Sequence, residues 1–382
     1  MEPFRLESYL NDLKYLVNFD NGSYNAAGVR KVATFFEKKF AGTIWKTELI
    51  PVEGGRVDPC LKATNTDADD YDVILLGHMD TVFGDGEAAK RPYAIDEKGI
   101  VTGVGVSDMK GCLLLGFYAL AELTNAGKLE GTKICFLFNS DEETGSKYSG
   151  RLVERIARHA KHCICIEAAR GNGAMVKARS GIADYDLMAT GKAAHAGNNP
   201  QEGSSTIHEL AHWIIELHKL SNYAVGTSVN VGVIRGGTER NVVADHAEAE
   251  VDVRFKSQAE HDRVKQGFEA LAKQQFTSGG AKVTYAYRLN RPPMEATPAS
   301  LAICDRVSAL AKELGMEDVS WVRAGGGSDA NTTAAMGIPT IDGAGPVGAG
   351  GHSAREWLDS KSVEPRMRLL EETILYLCGK RK

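Results

Sequence analysis

The sequence predicts an α/β domain built on a doubly wound, mostly parallel sheet, with a ferredoxin-like α+β domain inserted into it. Three observations support this fold class. The chain has 382 residues, which is more than one domain usually holds. Short apolar runs alternate with helical segments along the first part of the chain. Near residue 180 the pattern changes to strands with alternating polarity.

The strands predicted for the first domain are almost continuously apolar, which is typical of strands covered on both faces. They are DVILLG (72–77), TKICFLF (132–138), HCICIEA (162–168) and IPTIDGAG (338–345). Helical spacing of apolar residues predicts helices over 3–17, 24–40, 110–127, 299–315 and 361–378. The third of these helices is the most apolar, and Gly127 marks its end.

The middle of the chain has a different order of elements. Strands are predicted over 181–191, 228–237, 245–255 and 282–289, and helices over about 204–220 and 258–275. This β-α-β-β-α-β order is the ferredoxin-like arrangement. We therefore predict a discontinuous first domain, residues 1–180 and 294–382, and an inserted domain, residues 181–293.

Composition excludes several classes of partner. The net charge is −5 and the chain has no basic tract, so neither nucleic acid nor an anionic membrane surface is expected as a partner. No run of about 18 apolar residues predicts a membrane span, and the start of the chain lacks the apolar core of a signal peptide. Seven dispersed cysteines without a CxxC pair fit a reducing compartment, so we expect a cytoplasmic protein.

Acidic residues and histidines stand where the predicted parallel strands end. His78 and Asp80 follow the first strand, and Asp141, Glu142 and Glu143 follow the second. Glu167 ends the third strand, His352 follows a glycine-rich loop after the fourth, and Asp108 precedes the apolar helix. Any one of these could be a surface turn or a helix cap. Together they would repel one another at a single sheet edge unless a cation neutralises them.

The residue types indicate which cation. Imidazole and carboxylate ligands without thiolate suit Zn²⁺, with Co²⁺ or Mn²⁺ as alternatives. Five ligands exceed one tetrahedral site, so two metal ions that share a bridging carboxylate are expected. Asp80, two residues after His78, is well placed to orient the imidazole. Of the adjacent glutamates, one would bind metal and the other would act as a general base.

At these residues the chain resembles the di-zinc amidohydrolase superfamily of glutamate carboxypeptidases, acetylornithine deacetylases and succinyl-diaminopimelate desuccinylases. The resemblance rests on stretches in family order, namely GHMDTV (77–82), GVSDMKG (105–111), SDEETGS (140–146), IEAA (166–169), GKAAHAGNNPQEG (191–203), RNVVADHAEAEVDVR (240–254), GGGSDA (325–330) and GGHSAREW (350–357). It implies a catalytic α/β domain with an inserted lid that forms a homodimer.

The resemblance also implies roles for individual residues. His78 and Glu167 would hold one metal ion, Glu143 and His352 the other, and Asp108 would bridge them. Asp80 would orient His78, and Glu142 would be the general base. His195 of the lid would reach the active site of the opposite subunit and stabilise the oxyanion. A cis peptide bond is implied between Asp108 and Met109.

The substrate is expected to be a small molecule with a free carboxylate. Asn241, Arg254 and Arg291 match positions that bind a substrate carboxylate or oxyanion in relatives, and Arg179 matches more weakly. A salt bridge within the lid is the competing interpretation for Arg254 and Arg291. Glutamate at position 167 favours a carboxypeptidase or deacylase, and a small-peptide dipeptidase stays open as an alternative.

Residues 208–218, HELAHWIIELH, offer a rival metal site of the HExxH type. His208 and His212 lie on one helix face, but Ile215 stands where a glycine would have to end the helix. In a continuous helix His218 would lie about 240° around from His212, so the three histidines could not share a metal. We expect the strand-end residues to form the site. A catalytically silent binding protein is the remaining alternative, and the complete ligand set argues against it.

Overall fold

The computed structural model describes residues 1–316 and 319–381. Within these ranges the α-helices are α1 (Leu6–Val17), α2 (Ala26–Phe40), α3 (Glu87–Lys90), α4 (Gly111–Asn125), α5 (Gly150–Ala157), α6 (Thr206–Lys219), α7 (Gln258–Leu271), α8 (Pro298–Glu313), α9 (Asp329–Ala335) and α10 (Val363–Leu377). No helix among the described residues has the length and apolar composition needed to cross a membrane.

The first strands of the chain are β1 (Lys46–Ile50), β2 (Cys60–Thr64), β3 (Tyr71–His78), β4 (Ala94–Ile95), β5 (Ile100–Thr102), β6 (Ile134–Asn139), β7 (Ala160–Cys165) and β8 (Met175–Arg179). They are followed by β9 (Gly181–Thr190), β10 (Ser228–Gly236), β11 (His246–Phe255), β12 (Lys282–Arg291), β13 (Trp321–Ala324), β14 (Thr340–Ile341), β15 (Gly348–Ala349) and β16 (Trp357–Asp359).

The described chain divides into two compact units. The first comprises Met1–Ala178, Ala296–Ala324 and Ser328–Lys382, and the second comprises Arg179–Glu295 with Gly325–Gly327. Each unit has its own cluster of buried apolar side chains.

A six-stranded sheet of order β1-β2-β6-β3-β7-β14 forms the centre of the first unit. β3 is parallel to both β6 and β7, and β14 is parallel to β7. Seven of the eight β3 residues are buried, which is why this segment reads as one continuous apolar run. α4 is likewise buried along nearly its whole length. The predicted α/β class with a mostly parallel central sheet is confirmed.

Two neighbouring strands at one side of this sheet were not predicted. β1 pairs antiparallel with β2, and β2 pairs antiparallel with β6. β1 has no fully buried residue and β2 is only five residues long, so neither gives a strong apolar signal. A small four-stranded sheet of order β15-β16-β5-β4 also escaped prediction, because each of its strands has only two or three residues.

The second unit has the predicted β-α-β-β-α-β order of elements, from β9 to β12. Its strands form an antiparallel sheet of order β10-β11-β9-β12. Residues of β9 are alternately buried and less buried, as expected for a sheet with one covered face. The ring of Tyr185 on β9 stacks on Phe268 of α7, with ring centroids 3.6 Å apart, within the core of this unit.

Candidate metal centre

Neighbouring parallel strands deliver a histidine and several acids to one edge of the central sheet. His78 is the last residue of β3 and pairs with Asn139, the last residue of β6. A short 3-10 helix, Glu142–Thr144, follows β6. Glu167 comes two residues after β7 ends at Cys165. Because carboxyl ends of parallel strands meet at one edge, residues far apart in sequence become neighbours there.

His78 is buried, and its two ring nitrogens face different groups. Nδ1 lies 3.0 Å from the main-chain oxygen of Asp80 and 3.3 Å from Oδ1 of the same residue. Nε2 lies 3.1 Å from Oδ1 of Asp108 and 3.6 Å from Oε1 of Glu167. A proton on Nδ1, donated to Asp80, leaves the Nε2 lone pair available to a metal ion.

The carboxylate of Asp108 lies between the two histidines. Its Oδ1 faces Nε2 of His78 at 3.1 Å, and its Oδ2 faces Nε2 of His352 at 3.3 Å. A Cβ at Gly351 would lie 2.8 Å from Oδ2 of Asp108, so glycine at this position leaves room for the carboxylate beside the loop that carries His352. A carboxylate with one oxygen toward each imidazole has the arrangement of a ligand that bridges two metal ions.

Glu143 completes the side of the site that His352 occupies. Its Oε2 lies 2.9 Å from Nε2 of His352. One ligand atom each from His78, Asp108 and Glu143 all lie within 4.8 Å of one another. The donors are two imidazoles and three carboxylates without a thiolate, and this set fits Zn²⁺, Co²⁺ or Mn²⁺. All five residues that the sequence proposes as ligands therefore lie around one site.

The crowded carboxylates change the proton affinity of the histidines. Hydrogen bonds to Asp108 and Glu143 raise the pKa of His352 to about 11. Burial opposes protonation of His78, but hydrogen bonds to Asp108 and Asp80 outweigh it and raise the pKa well above its usual value. Burial and the nearby charge of Asp108 raise the pKa of Glu143. The cluster thus attracts positive charge, which divalent cations would supply in place of protons.

Asp80 supports both the histidine and the glutamates. Its buried carboxylate accepts hydrogen bonds from Oγ of Ser23 at 2.6 Å and from the backbone N–H groups of Glu142 at 3.1 Å and Glu143 at 3.2 Å. One side chain therefore orients His78 and fixes the turn that carries both glutamates. Sequence reasoning missed Ser23, which lies 57 positions from Asp80 in a segment without a recognisable pattern.

Glu356 is a second supporting residue without a predicted role. Its buried carboxylate accepts hydrogen bonds, all 2.9 Å long, from the backbone N–H groups of Gly105, Ser107 and Asp108. Burial raises the pKa of Glu356 to about 7. It holds the segment that presents Asp108, and the peptide bond from Asp108 to Met109 in this segment is cis, as the resemblance implies. A glutamate four residues after a ligand histidine was the only available signal.

The residues proposed for substrate binding all belong to the second unit. Arg254 contacts the carboxylate of Asp252, with nitrogen–oxygen distances of 2.9 to 3.0 Å, so the competing salt-bridge interpretation describes its contacts here. Arg179 is buried and donates to the main-chain oxygens of Gly326 and Gly327.

The other two proposed substrate-binding residues and His195 differ in burial. Arg291 is buried, whereas Asn241 and His195 are exposed. Nδ1 of His195 accepts hydrogen bonds from the backbone N–H groups of Gly197 at 3.1 Å and Asn198 at 3.2 Å. The neutral imidazole therefore carries its proton on Nε2, the nitrogen available to an external acceptor.

The HExxH segment uses its glutamate for packing. α6 continues without a break from Thr206 to Lys219, as the sequence argument requires. Glu209 is buried and accepts hydrogen bonds from the backbone N–H of Phe276 and from both the N–H and Oγ1 of Thr277. The rings of His208 and His212 lie 5.1 Å apart, and no third ligand among the described residues joins them at metal-binding distance. This arrangement does not support an HExxH metal site.

Comparison with known proteins adds a family assignment to this geometry. The model of peptidase family M20/M25/M40 matches residues 74–376. The chain is 28% identical over 378 residues to carboxypeptidase G2 of Pseudomonas sp. strain RS-16, which covers 96% of this chain and 89% of the relative. It is 26% identical to succinyl-diaminopimelate desuccinylase of Ectopseudomonas mendocina, which covers 80% of this chain and 83% of the relative.

A solved structure has the same fold along nearly the whole chain. Aminopeptidase PepT of Bacillus cereus aligns with a TM-score of 0.78 and 24% sequence identity, and the alignment covers 98% of this chain and 99% of that chain. At this identity the likeness shows the fold and leaves the substrate open.

Proposed function

The chain belongs to peptidase family M20/M25/M40, and from this premise we propose that it hydrolyses an amide bond next to a free carboxylate. Family membership makes it a hydrolytic metallopeptidase. The finer proposal is a glutamate carboxypeptidase-like exopeptidase or an N-acyl-amino-acid deacylase. Its similarity to a carboxypeptidase and to a desuccinylase over most of their lengths supports this choice.

One observation carries the proposal, namely the position of Asp108. Its two oxygens face the Nε2 atoms of His78 and His352, with Glu143 and Glu167 on either side. We infer that His78 and Glu167 would hold one divalent cation, that Glu143 and His352 would hold the other, and that Asp108 would be a ligand to both. Zn²⁺ is our first choice. When bound, such ions polarise a carbonyl group and lower the pKa of water.

Protein side chains would accept and donate the protons during hydrolysis. Glu142 lies beside Glu143 in a turn whose backbone N–H groups are bound by Asp80, and the Glu142 side chain is half-buried. We assign to Glu142 the role of general base, which removes a proton from the attacking water and later delivers it to the leaving amine. Asp80 keeps Nε2 of His78 directed at the site.

Residues of the second unit would recognise the substrate. Asn241, Arg254, Arg291 and Arg179 are our candidates for binding its carboxylate. For Arg254 this requires exchanging Asp252 for the substrate, since a guanidinium binds either carboxylate in the same bidentate manner. We further propose that two copies pair through this unit and that Nε2 of His195 donates to the oxyanion in the other copy. The exposure of His195 and its proton on Nε2 support this role.

We also propose a reducing, cytoplasmic location for the enzyme. All seven cysteines of the sequence are free thiols in the structure, and all but Cys378 are buried.

Glu142→Gln is the decisive variant. The amide keeps the shape of the side chain but cannot accept a proton, so we expect turnover to fall at least about a thousandfold. Metal content and the temperature of unfolding should stay at wild-type values. Glu154→Gln, on an exposed position of α5, is the matched control.

The assay should measure amino-acid release from N-acyl amino acids and from dipeptides, with Zn²⁺, Co²⁺ or Mn²⁺ added. Turnover of Glu142→Gln near the wild-type rate would contradict the assigned base. Preference for dipeptides would favour the dipeptidase alternative. Stoichiometric metal binding without any turnover would favour a catalytically silent protein.

A further inference from the structure

A cavity of about 350 Å³ opens beside Glu143. Two segments of the first unit, residues 22–25 and 81–85, form most of its wall, and Glu143 and Thr144 form the rest. Glu143 belongs to both the cavity and the proposed metal centre. A molecule in the cavity would therefore lie next to the metal centre, where the scissile amide is proposed to bind.

Hydrogen bonds join the cavity wall to the segment that carries Asp80. The side-chain amide of Asn21 donates to the main-chain oxygen of Met79 at 2.6 Å, and the N–H of Thr81 donates to the main-chain oxygen of Asn21 at 3.0 Å. Ser23 in the same segment donates to Asp80. These bonds fix the two wall segments against each other and against Asp80, as expected of a preformed ligand-binding pocket.

The wall of the cavity exposes aromatic and aliphatic side chains. Tyr24 is 64% exposed and Val82 is 41% exposed, and both line the cavity with Phe83. The guanidinium of Arg91 lies 4.2 Å from the centre of the Phe83 ring and supports it. These side chains offer an aromatic and aliphatic surface to a ligand.

The charged groups of the wall are exclusively acidic. Among the described residues that line the cavity there is no lysine, arginine or histidine, whereas Asp85 and Glu143 are both present. The side-chain amide of Asn25 donates to Asp85 at 2.6 Å, and its oxygen accepts from Gly28, so this amide is already engaged within the wall. Metal ions would offset the charge of Glu143, but Asp85 would still repel an anion.

We propose that this cavity, the acyl pocket, receives the acyl side of the scissile amide and prefers an uncharged aromatic or apolar acyl group to a dicarboxylic one. The proposal rests on the proposed function and names the substrate class for the same site. Tyr24, Val82 and Phe83 would pack against the acyl group. Asp85 would disfavour a second carboxylate such as that of a succinyl group.

The test compares three substrates of the metal-loaded enzyme, N-benzoyl-, N-acetyl- and N-succinyl-glutamate. We expect kcat/KM to decrease in that order. In Tyr24→Ala the benzoyl-to-acetyl ratio of kcat/KM should fall about tenfold, because the ring that packs on the acyl group is lost. In Asp85→Lys the succinyl-to-acetyl ratio should rise about tenfold, because a cation replaces the repelling anion. Both rates of a ratio come from one preparation, so the ratio does not depend on the folded fraction.

Tyr223→Ala is the matched control, because Tyr223 is 78% exposed and lies in the second unit. Its ratios should equal those of the wild type. Unchanged ratios in Tyr24→Ala and Asp85→Lys, with normal turnover of the three substrates, would overturn the acyl pocket and leave the proposed function intact. A wild-type preference for the succinyl substrate would overturn it as well. Absence of turnover with every substrate would overturn the proposed function, and the acyl pocket with it.

Discussion

The strand-end cluster of the first unit and the HELAH helix of the second both combine histidines with glutamate, yet they use the carboxylates differently. In the cluster the carboxylates face imidazole nitrogens at 2.9 to 3.6 Å. In the helix Glu209 is turned into its unit and accepts three hydrogen bonds from Phe276 and Thr277. The difference shows that ligand spacing alone does not make a metal site, because the donor atoms must also converge on one point.

The largest effect should come from Asp108→Ala, since this residue joins both halves of the cluster. We expect loss of bound metal and kcat below about one-thousandth of the wild-type value. Metal analysis and a hydrolysis assay measure the two effects. Asp305→Ala, at an exposed position of α8, is the control and should behave as wild type. Retention of two metal ions per chain by Asp108→Ala would remove the bridging role.

Glu356→Gln tests the support behind the cluster. The amide can present only one oxygen where two oxygens now receive three N–H groups. We expect metal affinity to weaken by about 10- to 100-fold, as is typical when a residue behind a ligand is changed. Competition with a chelator measures the affinity, and Glu364→Gln on α10, which is exposed, serves as control.

A general loss of stability could also weaken metal binding in Glu356→Gln. Thermal unfolding of the metal-free proteins separates the two causes. An unfolding temperature that falls with no change in metal affinity would mean that Glu356 supports the fold and not the position of Asp108.

Glu209→Ala tests the packing role of the glutamate on α6. Three donors near α6 would lose their acceptor, so the free energy of unfolding should fall by about 1–3 kcal/mol. Chemical denaturation measures this loss. The control is Glu216→Ala on the same helix, because the Glu216 side chain is 34% exposed and pairs with Lys219. Metal content and kcat of the folded enzyme should not change, and a loss of bound metal at constant stability would contradict the packing role.

The smallest effect is expected from the double variant His208→Ala/His212→Ala. His208 is exposed, whereas His212 is half-buried and its ring stacks on Phe276. Because neither belongs to the proposed metal centre, we expect kcat/KM of the folded enzyme to stay within about twofold of the wild-type value. Loss of activity with both metal ions still bound in the first unit would restore the HExxH interpretation.

The sequence predicted the residues of the cluster because strand ends are recognisable from composition. Each of His78, Glu143 and Glu167 follows a buried apolar run, and parallel topology then dictates that the runs end at one edge. Helical geometry was also sufficient to place His212 and His218 on different faces of α6. In both cases a regular backbone converts spacing in sequence into position in space.

Contacts outside regular elements could not be predicted in this way. Ser23 reaches Asp80 across 57 positions, and Glu356 reaches Ser107 across 249 positions, and in each case one partner lies in a loop. Likewise, nothing in the DVRF stretch shows whether Arg254 turns to Asp252 or to a ligand, because that choice depends on a side-chain rotamer.

The hydrogen bonds from Asn21 and Ser23 to the Met79–Asp80 segment have a practical consequence for protein engineering. Through these bonds, residues near the amino terminus help to position Asp80 beside the proposed metal centre. A truncated variant that begins after Asn25 would lose the hydrogen bond from Ser23 to Asp80 and residues 22–25 of the acyl pocket. It would still contain every proposed metal ligand. Trimming this end should yield a protein that binds metal poorly.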